Sequence, residues 1–197
     1  MLLNPYRFSN VGVAFNPLDK GSGITISNSD RTLSSGATGW QSTRSKRSKA
    51  AGKLYFEWVA DGNNNGGMLG IATAALTVGS QYPGQTAASW GYYYNSAGGE
   101  VYNNGSASLS GSGVVTVGSY GRVAIDIDAG KLWFGNAASW KSSGDPAAGT
   151  NPTFTFTPNQ TLFMTVGLNT SGNSGTLRST TAQVVGSVPS GFTPWDN

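Results

Sequence analysis

Glycine and proline interrupt this chain so often that long helices have no room to form. The 197 residues include 29 glycines and 8 prolines, and no window keeps apolar residues at the helical i, i+3, i+4 and i+7 spacing. The segments between are short and rich in Val, Ile, Thr, Tyr, Phe and Trp, which favour strands. Strands are predicted over residues 53–60, 68–73, 90–95, 100–103, 114–117, 122–128, 131–134, 153–157, 162–168 and 176–185. This pattern predicts one all-β domain, an antiparallel sandwich or barrel.

Two predicted hairpins show the clearest alternation of side chains. In residues 123–134 the odd-numbered positions 123, 125 and 127 are apolar and share a face, and a tight turn at residues 129–130 returns the chain. In the second hairpin, residues 90–103, Trp90, Tyr92 and Tyr94 share a face. The predicted core consists of Phe56, Trp58, Ile71, Ile125, Ile127, Trp133, Phe163 and Val166.

The absence of cysteine and histidine from the sequence removes many kinds of active site. Without cysteine, disulfides, thiolate nucleophiles and cysteine-ligated metal sites are excluded. Without histidine, the Ser-His-Asp triad and imidazole metal sites are excluded as well. The glycine-rich phosphate-binding motifs of nucleotide enzymes are also missing. We therefore predict no catalytic residue, no metal site and no cofactor.

The basic residues are concentrated in one short segment. The net charge is +3, and five of the twelve lysines and arginines lie within residues 44–53. Arg44, Lys46, Arg47 and Lys49 are predicted either to form a basic patch that contacts an anionic partner or to belong to a solvated loop. No aromatic residue lies among them, which argues against a nucleic-acid partner.

Four carboxylates lie in or beside predicted strands. Asp126 and Asp128 are two residues apart, so they project from the same face and can hold a calcium ion or act as an acid/base pair. The alternative is that Asp128 caps the hairpin turn and Asp126 bonds to the backbone or a nearby hydroxyl. Glu57 and Glu100 could complete the carboxyl pair of a glycosidase only if folding brought them together with these residues.

Five segments, in this order, resemble the SPRY (B30.2-like) domain. They are GKLYFEW at 52–58, LGIA at 69–72, WGYY at 90–93, VAIDIDAGKLWF at 123–134 and PSGF at 189–192, and the resemblance spans about residues 40–195. It implies a bent antiparallel sandwich of two sheets, whose loops at one end bind proteins or peptides, with no general catalytic role. Residues 177–181 read LRSTT, where the family often has an Asn-Phe-Gly-like stretch, so the pairing of the last strand is left open.

Residues 3–8 and the insert 144–152 are similar to SPRY-like proteins encoded by tailed bacteriophages. Charged residues make up only 11% of the chain, and Gly, Ser, Thr and Asn are abundant, as in virion proteins. The resemblance implies a virion protein assembled in the host cytoplasm, with other virion subunits as partners and no membrane span. We expect it to be a homo-oligomer or to be present in many copies.

The chain is predicted to divide at residues 39 and 40. Residues 1–39 form an N-terminal extension that contains the first strands, and residues 40–197 form the sandwich. The first eight residues are too apolar to stay in water, and an arginine among them can bond a carboxylate or carbonyl. The residues predicted to dock on a virion subunit are Leu2, Leu3, Tyr6, Arg7 and Phe8.

The predicted binding rim lies on the loops 61–67 and 76–88 and on the hairpin 92–102, which combine backbone freedom with amide and tyrosine side chains. It consists of Asn63, Asn64, Gln81, Tyr82, Gln85, Tyr92, Tyr93, Tyr94 and Tyr102. For the tyrosines, the alternative is a strand with both faces occupied. The leading hypothesis is a non-enzymatic module of a phage tail or fibre that recognises a host-surface glycan or protein. The alternatives are a decoration or connector protein between capsid or tail subunits, and a carboxylate-dependent polysaccharide hydrolase.

Overall fold

The computed structural model describes residues 14–63, 65–94, 99–109 and 113–197. The predicted docking residues Leu2, Leu3, Tyr6, Arg7 and Phe8 and the predicted rim residue Asn64 lie outside the described residues. The described residues form short strands and a single turn of 3-10 helix, Lys141–Ser143, which confirms the all-β prediction. The strands are β1 (Phe15–Lys20), β2 (Ile24–Ser27), β3 (Thr32–Ser35), β4 (Gln41–Ser45), β5 (Lys53–Ala60), β6 (Gly67–Ala72), β7 (Ser89–Tyr93), β8 (Val101–Asn103), β9 (Ser106–Ser108), β10 (Tyr120–Asp126), β11 (Lys131–Asn136), β12 (Phe154–Thr155), β13 (Phe163–Leu168), β14 (Ser174–Arg178) and β15 (Thr193–Pro194).

Two antiparallel sheets form the predicted sandwich. The seven-stranded sheet has the order β1-β4-β13-β6-β7-β8-β9. The eight-stranded sheet has the order β12-β11-β10-β5-β14-β3-β2, with β15 paired parallel to β5. Strand β1 belongs to the seven-stranded sheet, and β2 and β3 belong to the eight-stranded sheet, so the sandwich begins before residue 40. Within the described residues, no helix has the length and apolar character that a membrane crossing requires.

The core lies between the sheets and follows the alternation predicted for the hairpin of β10 and β11. Val123 pairs with Phe134 and Ile125 with Leu132, and all four side chains are fully buried. Side chains of β6, β7 and β13 from the other sheet pack against them in one cluster. Full burial of a side chain of this size stabilises the fold by roughly 1.5–3 kcal/mol.

Two predicted core residues lie on outer faces of the sandwich. Phe163 is only half-buried, because the adjacent Met164 points into the core and neighbours on a strand face opposite ways. Trp133 is fully buried but lies on the outer face of the eight-stranded sheet, since Leu132 and Phe134 fill the inner positions. The prediction that Phe163 is a core residue is therefore wrong, whereas Trp133 is buried as predicted, in a second core cluster on the outer face of that sheet.

Two predicted strands differ from the structure. Residues 114–117 form no strand; Val115 is buried, and Gly118 turns the chain at a positive φ of 85°. The strand predicted over 176–185 ends at Arg178, because the polar residues that follow form local hydrogen bonds in turns. The Gln183 side-chain oxygen accepts the backbone N–H of Ser179, and the backbone N–H of Gln183 donates to the Thr180 carbonyl. Strand β14 pairs with β3 and β5, which answers the question left open at the LRSTT stretch.

Residues 179–197 form what we call the C-terminal cover: Val184, Val188 and Phe192 pack on the outer face of the eight-stranded sheet, and Trp195 at its end reaches the core between the sheets. The Phe192 ring meets Trp133 edge-on, with centroids 6.2 Å apart. The buried Glu57 carboxylate accepts the backbone N–H groups of Val185 and Gly186 at 3.1 and 2.8 Å. A buried carboxylate is stable only when it is hydrogen-bonded, so Glu57 anchors the cover to the sheet.

Candidate functional site

On the outer face of the seven-stranded sheet, three neighbouring positions are glycines and carry no side chains, and we call them the glycine floor. Gly70, Gly91 and Gly167 lie on the neighbouring strands β6, β7 and β13, and Gly70 pairs directly with Gly91. Pro83 fills the space above them: a Cβ on Gly70 would lie 2.5 Å from the Pro83 Cβ, and one on Gly167 would lie 2.7 Å from its Cδ. The loop 73–88 therefore sits closer to the sheet than side chains at these positions would allow.

Hydrogen bonds hold the loop 73–88 in this position. Ser42 on β4 donates from its Oγ to the Gln81 carbonyl at 2.6 Å. The side-chain oxygens of Gln81 and Gln85 accept the backbone N–H groups of Thr77 and Tyr82 at 2.8 and 3.2 Å. These two predicted rim glutamines thus brace the loop that carries Tyr82.

Four aromatic side chains surround a small cavity beside this loop, and we call the arrangement the aromatic cup. Its walls are Trp40, Tyr82, Tyr93 and Tyr102, its floor is Met68, and its rim includes Asn169. The cavity has a volume of about 180 Å³. Neighbouring rings have centroids 5.0–6.4 Å apart and planes inclined by 48–84°, so they are tilted or edge-on to one another. Each wall residue is only partly buried.

Strand register explains why these side chains meet. Met68 pairs with Tyr93 across β6 and β7, so both point away from the core. Tyr102 points the same way from β8, because it pairs with an outward position of β7. Trp40 comes directly before β4 and Asn169 directly after β13, and the paired ends of these two strands bring them to the same surface. With Tyr82 from the loop 73–88, the cup is therefore assembled from six separate parts of the chain.

One carboxylate stands beside the cup. Glu100 accepts a hydrogen bond from the Tyr102 hydroxyl at 2.6 Å. Burial raises the pKa of Tyr93 and of Tyr102 above that of an ordinary phenol, and the negative charge of Glu100 raises both further. Both phenols are therefore neutral near pH 7. None of the described residues that line the cavity is basic, so neutral aromatic walls stand next to one negative charge.

Five of the predicted rim residues are tyrosines, and the structure separates them. Tyr82, Tyr93 and Tyr102 line the cup. Tyr92 and Tyr94 are fully buried between the sheets, because they alternate with Tyr93 along the chain. The prediction that Tyr92 and Tyr94 belong to a binding rim is therefore wrong.

The loop 61–67 borders the cup and contains the predicted rim residue Asn63. Asn63 is exposed, and its side-chain oxygen accepts the backbone N–H of Asn65 at 3.0 Å. In the same loop the Gly66 carbonyl accepts the N–H of Asn169 at 2.9 Å. This bond ties the loop to the cup without placing Asn63 among the lining residues.

Sequence reasoning missed Trp40, Met68 and Asn169. They lie in or beside three different strands, and only the pairing of β4, β13 and β6 brings them together. A partial signal exists in the segments LGIA and WGYY, where a glycine takes an outward strand position. Such glycines indicate the close approach of another segment, but they do not say which one.

Two residues of the predicted basic patch, Arg44 and Lys46, bond through their side chains to groups within this chain. Arg44 donates to both carboxylate oxygens of Asp19 at 2.7 and 2.8 Å and to three carbonyls of residues 73–76. Lys46 bonds to Asp30 at 2.5 Å. Arg47 and Lys49 lie near Asp196, where their charges oppose the effect of burial, which raises the pKa of Asp196 to about 6. Arg44 therefore has a structural role under the loop 73–88.

The carboxylates of the predicted strands serve separate contacts. Asp126 accepts the backbone N–H of Ala129 in its own hairpin turn at 2.9 Å, as the prediction of a backbone bond requires. Asp128 accepts the N–H of Gly52, just before β5, at 3.1 Å, so the prediction that Asp128 caps the hairpin turn is wrong. Glu57 lies under the C-terminal cover and Glu100 beside the cup, on different sheets. In the part of the chain that the structure describes, no group of three or more Asp or Glu residues is placed to hold a metal ion.

The architecture matches solved structures. The crystal structure of the SPRY domain of human HERC1 aligns with a TM-score of 0.65 over 83% of this chain and 96% of that one, at 16% sequence identity. The fold is that of a SPRY domain. The TRIM65 PSpry domain aligns with a TM-score of 0.63 at 20% identity, over 85% of this chain and 89% of that one. A human SPRY domain gives 0.59 at 16% identity, over 80% and 95%.

The likeness to SPRY domains confirms the resemblance read from the sequence at the level of the fold. Comparison of the sequence with protein-family models and with curated proteins found no match. The alignments to solved structures carry the fold alone, because their identities are 16–20%. What the SPRY fold does in this chain therefore has to be argued from its own surface.

Proposed function

We propose that this chain is a non-enzymatic binding module, and that its aromatic cup holds an exposed group of the ligand. The observation that carries the proposal is a partly open cavity walled by four aromatic rings. Tyr and Trp offer flat apolar faces with a polar tip and lose little conformational entropy on binding.

The cup is built on a rigid support, which favours binding. Pro83 is fixed over the glycine floor, and the adjacent Tyr82 is held by the braced loop. Walls that are already in place lose less freedom when a ligand arrives, so more of the contact energy appears as affinity. A preorganised, partly exposed arrangement of this kind is expected of a binding surface.

The available chemistry supports binding rather than catalysis. The chain has no histidine and no cysteine. The carboxylates of Glu57, Asp126 and Asp128 accept backbone N–H groups. A glycosidase needs two carboxyl groups held on either side of one bond, and Glu57 and Glu100 lie on different sheets.

We further propose that the module belongs to a phage tail or fibre and recognises a glycan or protein of the host surface. The low content of charged residues, 11%, and the abundance of Gly, Ser, Thr and Asn support this assignment. In this proposal residues 1–8 dock on another virion subunit. Mass spectrometry of particles purified from the virus that encodes the chain should find it; a particle free of it contradicts this part of the proposal and leaves the binding module standing.

The binding proposal is tested by screening the purified chain on arrays of glycans and peptides. The parent, Tyr93→Ala and Lys46→Ala proteins are compared at equal concentration. We expect saturable signals that Tyr93→Ala loses and Lys46→Ala keeps, because Lys46 is an exposed residue paired with Asp30. Signals that survive Tyr93→Ala, or cup residues buried against a neighbouring subunit in a particle map, favour the connector alternative instead.

A further inference from the structure

The ring geometry of the cup encloses a point instead of forming a platform. Parallel, coplanar rings would offer one flat surface, as a stacking ligand requires. Here neighbouring planes are inclined by 48–84°, and the walls rise from separate loops and strands around Met68. An aromatic face carries partial negative charge, so rings that turn their faces toward one point attract a cation there.

The charge beside the cup has the sign that a cation needs. Glu100 bonds to the hydroxyl of the wall residue Tyr102 at 2.6 Å. Its negative charge also acts on Tyr93, the wall residue across from it on β7, whose backbone N–H bonds to the Glu100 carbonyl at 2.8 Å. The lining residues that the structure describes include no Lys or Arg that would fill the cavity from within the chain.

The cavity is small. Its volume of about 180 Å³ lies below the roughly 300–1,000 Å³ of pockets that enclose a drug-sized molecule. A cavity of this size takes one compact group, and the rest of the ligand must lie outside it.

Resting on the function proposed above, we propose that the cup binds an alkylated ammonium group, that is, a quaternary or N-methylated amine carried by a larger partner. A primary ammonium has three N–H donors and needs three acceptors when it leaves water. The floor of the cup is a methionine thioether, and a Glu100 oxygen already accepts the Tyr102 hydroxyl. An alkylated ammonium keeps its positive charge but has fewer N–H donors than a primary ammonium, and a quaternary ammonium has none.

The proposal is tested by calorimetric titration with choline and with 3,3-dimethylbutan-1-ol, which has the same shape but no charge. Sodium chloride keeps the ionic strength equal in both titrations. We expect choline to bind saturably and roughly tenfold more tightly than the alcohol, the ratio that a cation–π contribution of this kind produces. Equal affinity for the two compounds overturns the proposal.

Three variants assign the effect to the cup. Glu100→Gln removes the charge but keeps a hydrogen-bond acceptor, so we expect choline to bind several-fold more weakly and the alcohol to bind as before. Tyr93→Ala removes a wall and abolishes both, whereas Tyr93→Phe keeps the ring and retains choline binding within about twofold. Choline binding that is unchanged in Glu100→Gln and Tyr93→Ala contradicts the proposal. Urea unfolding of each variant verifies that it is folded.

The outcome also separates this proposal from the function on which it rests. Tyr93-dependent array signals from uncharged ligands alone leave the binding module standing and refute the ammonium. No Tyr93-dependent signal on the arrays and no choline binding refute both. If choline binds, parallel titrations with phosphocholine and with a trimethyllysine peptide tell whether the natural group is a zwitterionic headgroup or a protein side chain.

Discussion

The two outer faces of the sandwich carry similar aromatic side chains, but these side chains are fully covered on only one face. On the eight-stranded sheet, Tyr55 and Trp133 point outward and are 0% exposed, because the C-terminal cover lies over them. On the seven-stranded sheet, Tyr93 and Tyr102 also point outward, yet they stay partly exposed around a cavity. The residue type is the same, and the segment above it decides whether it stabilises the fold or is free to bind.

The covering segments differ in how they attach to their sheets. The C-terminal cover packs aromatic and aliphatic side chains onto the sheet and is anchored through the buried Glu57. The loop 73–88 meets glycines, and Pro83 occupies the space that their side chains would fill. The loop therefore covers the middle of the seven-stranded sheet and stops beside the aromatic cup.

The largest expected difference between the faces is in stability. Trp133→Ala empties a fully buried site under the cover and should lower the free energy of unfolding by about 3–5 kcal/mol. Tyr93→Ala, the matched change on the open face, should lower it by about 1 kcal/mol or less. Urea denaturation of both variants measures this, and equal losses would mean that the cup is part of the core.

The role of Glu57 as the anchor of the cover can be tested with an isosteric substitution. Glu57→Gln replaces a carboxylate oxygen by an NH₂ group that faces a backbone N–H, and the loss of such a charged hydrogen bond should cost about 1.5–3 kcal/mol. Hydrogen exchange at Val185 and Gly186 should accelerate. Glu100→Gln on the open face is the control, and we expect its stability to stay within about 0.5 kcal/mol of the parent.

A larger residue on the glycine floor should disturb the open face. Gly91→Ala forces its Cβ against the Pro83 carbonyl, and overpacking of this kind costs about 1–3 kcal/mol. Because the loop that carries Tyr82 must rise, ligand binding in the cup should weaken as well. Gly79→Ala is the control: its Cβ would meet nothing within 4 Å, and its unfolding curve should match that of the parent.

The smallest slope to be measured is a pH dependence of the cover. Burial raises the pKa of Asp196 to about 6, whereas an aspartate in an unfolded chain has a pKa of about 3.9. The folded protein therefore holds more protons between these values. Its stability should fall as pH rises from about 4 to about 6, by less than about 1.4 kcal/mol per pH unit for one proton. Asp196→Asn should lack this component when the two urea-unfolding profiles are subtracted, and identical profiles would show that the carboxyl has no such shift.

The parts predictable from sequence were those set by local alternation. The hairpin of β10 and β11 and the SPRY fold follow from short-range patterns that the structure confirms. Alternation also distinguishes Tyr93 from Tyr92 and Tyr94, so the sequence held enough information to exclude the latter two from a rim. Alternation also explains why the prediction for Phe163 was wrong. Phe163 and Val166 are three residues apart on β13, so their side chains lie on opposite faces of the sheet, and Val166 is the one that faces the core.

The remainder depended on contacts between distant segments. Trp40 and Asn169 meet only because β4 pairs with β13. Whether an outward aromatic residue is covered depends on where residues 73–88 and 179–197 pass, and no short-range pattern encodes these paths. The cup could be predicted as a set of loop tyrosines, but neither its cavity nor its tryptophan wall could.

Fluorine NMR of the protein labelled with 5-fluorotryptophan tests most directly whether the open face is the one that binds. The chain has six tryptophans; Trp40 lines the cup, and Trp133 and Trp140 belong to the cluster under the cover. During titration with choline, we predict that the Trp40 resonance, assigned from a Trp40→Phe sample, shifts saturably while those of Trp133 and Trp140 stay fixed. A saturable shift at Trp133 or Trp140 with none at Trp40 would contradict the account.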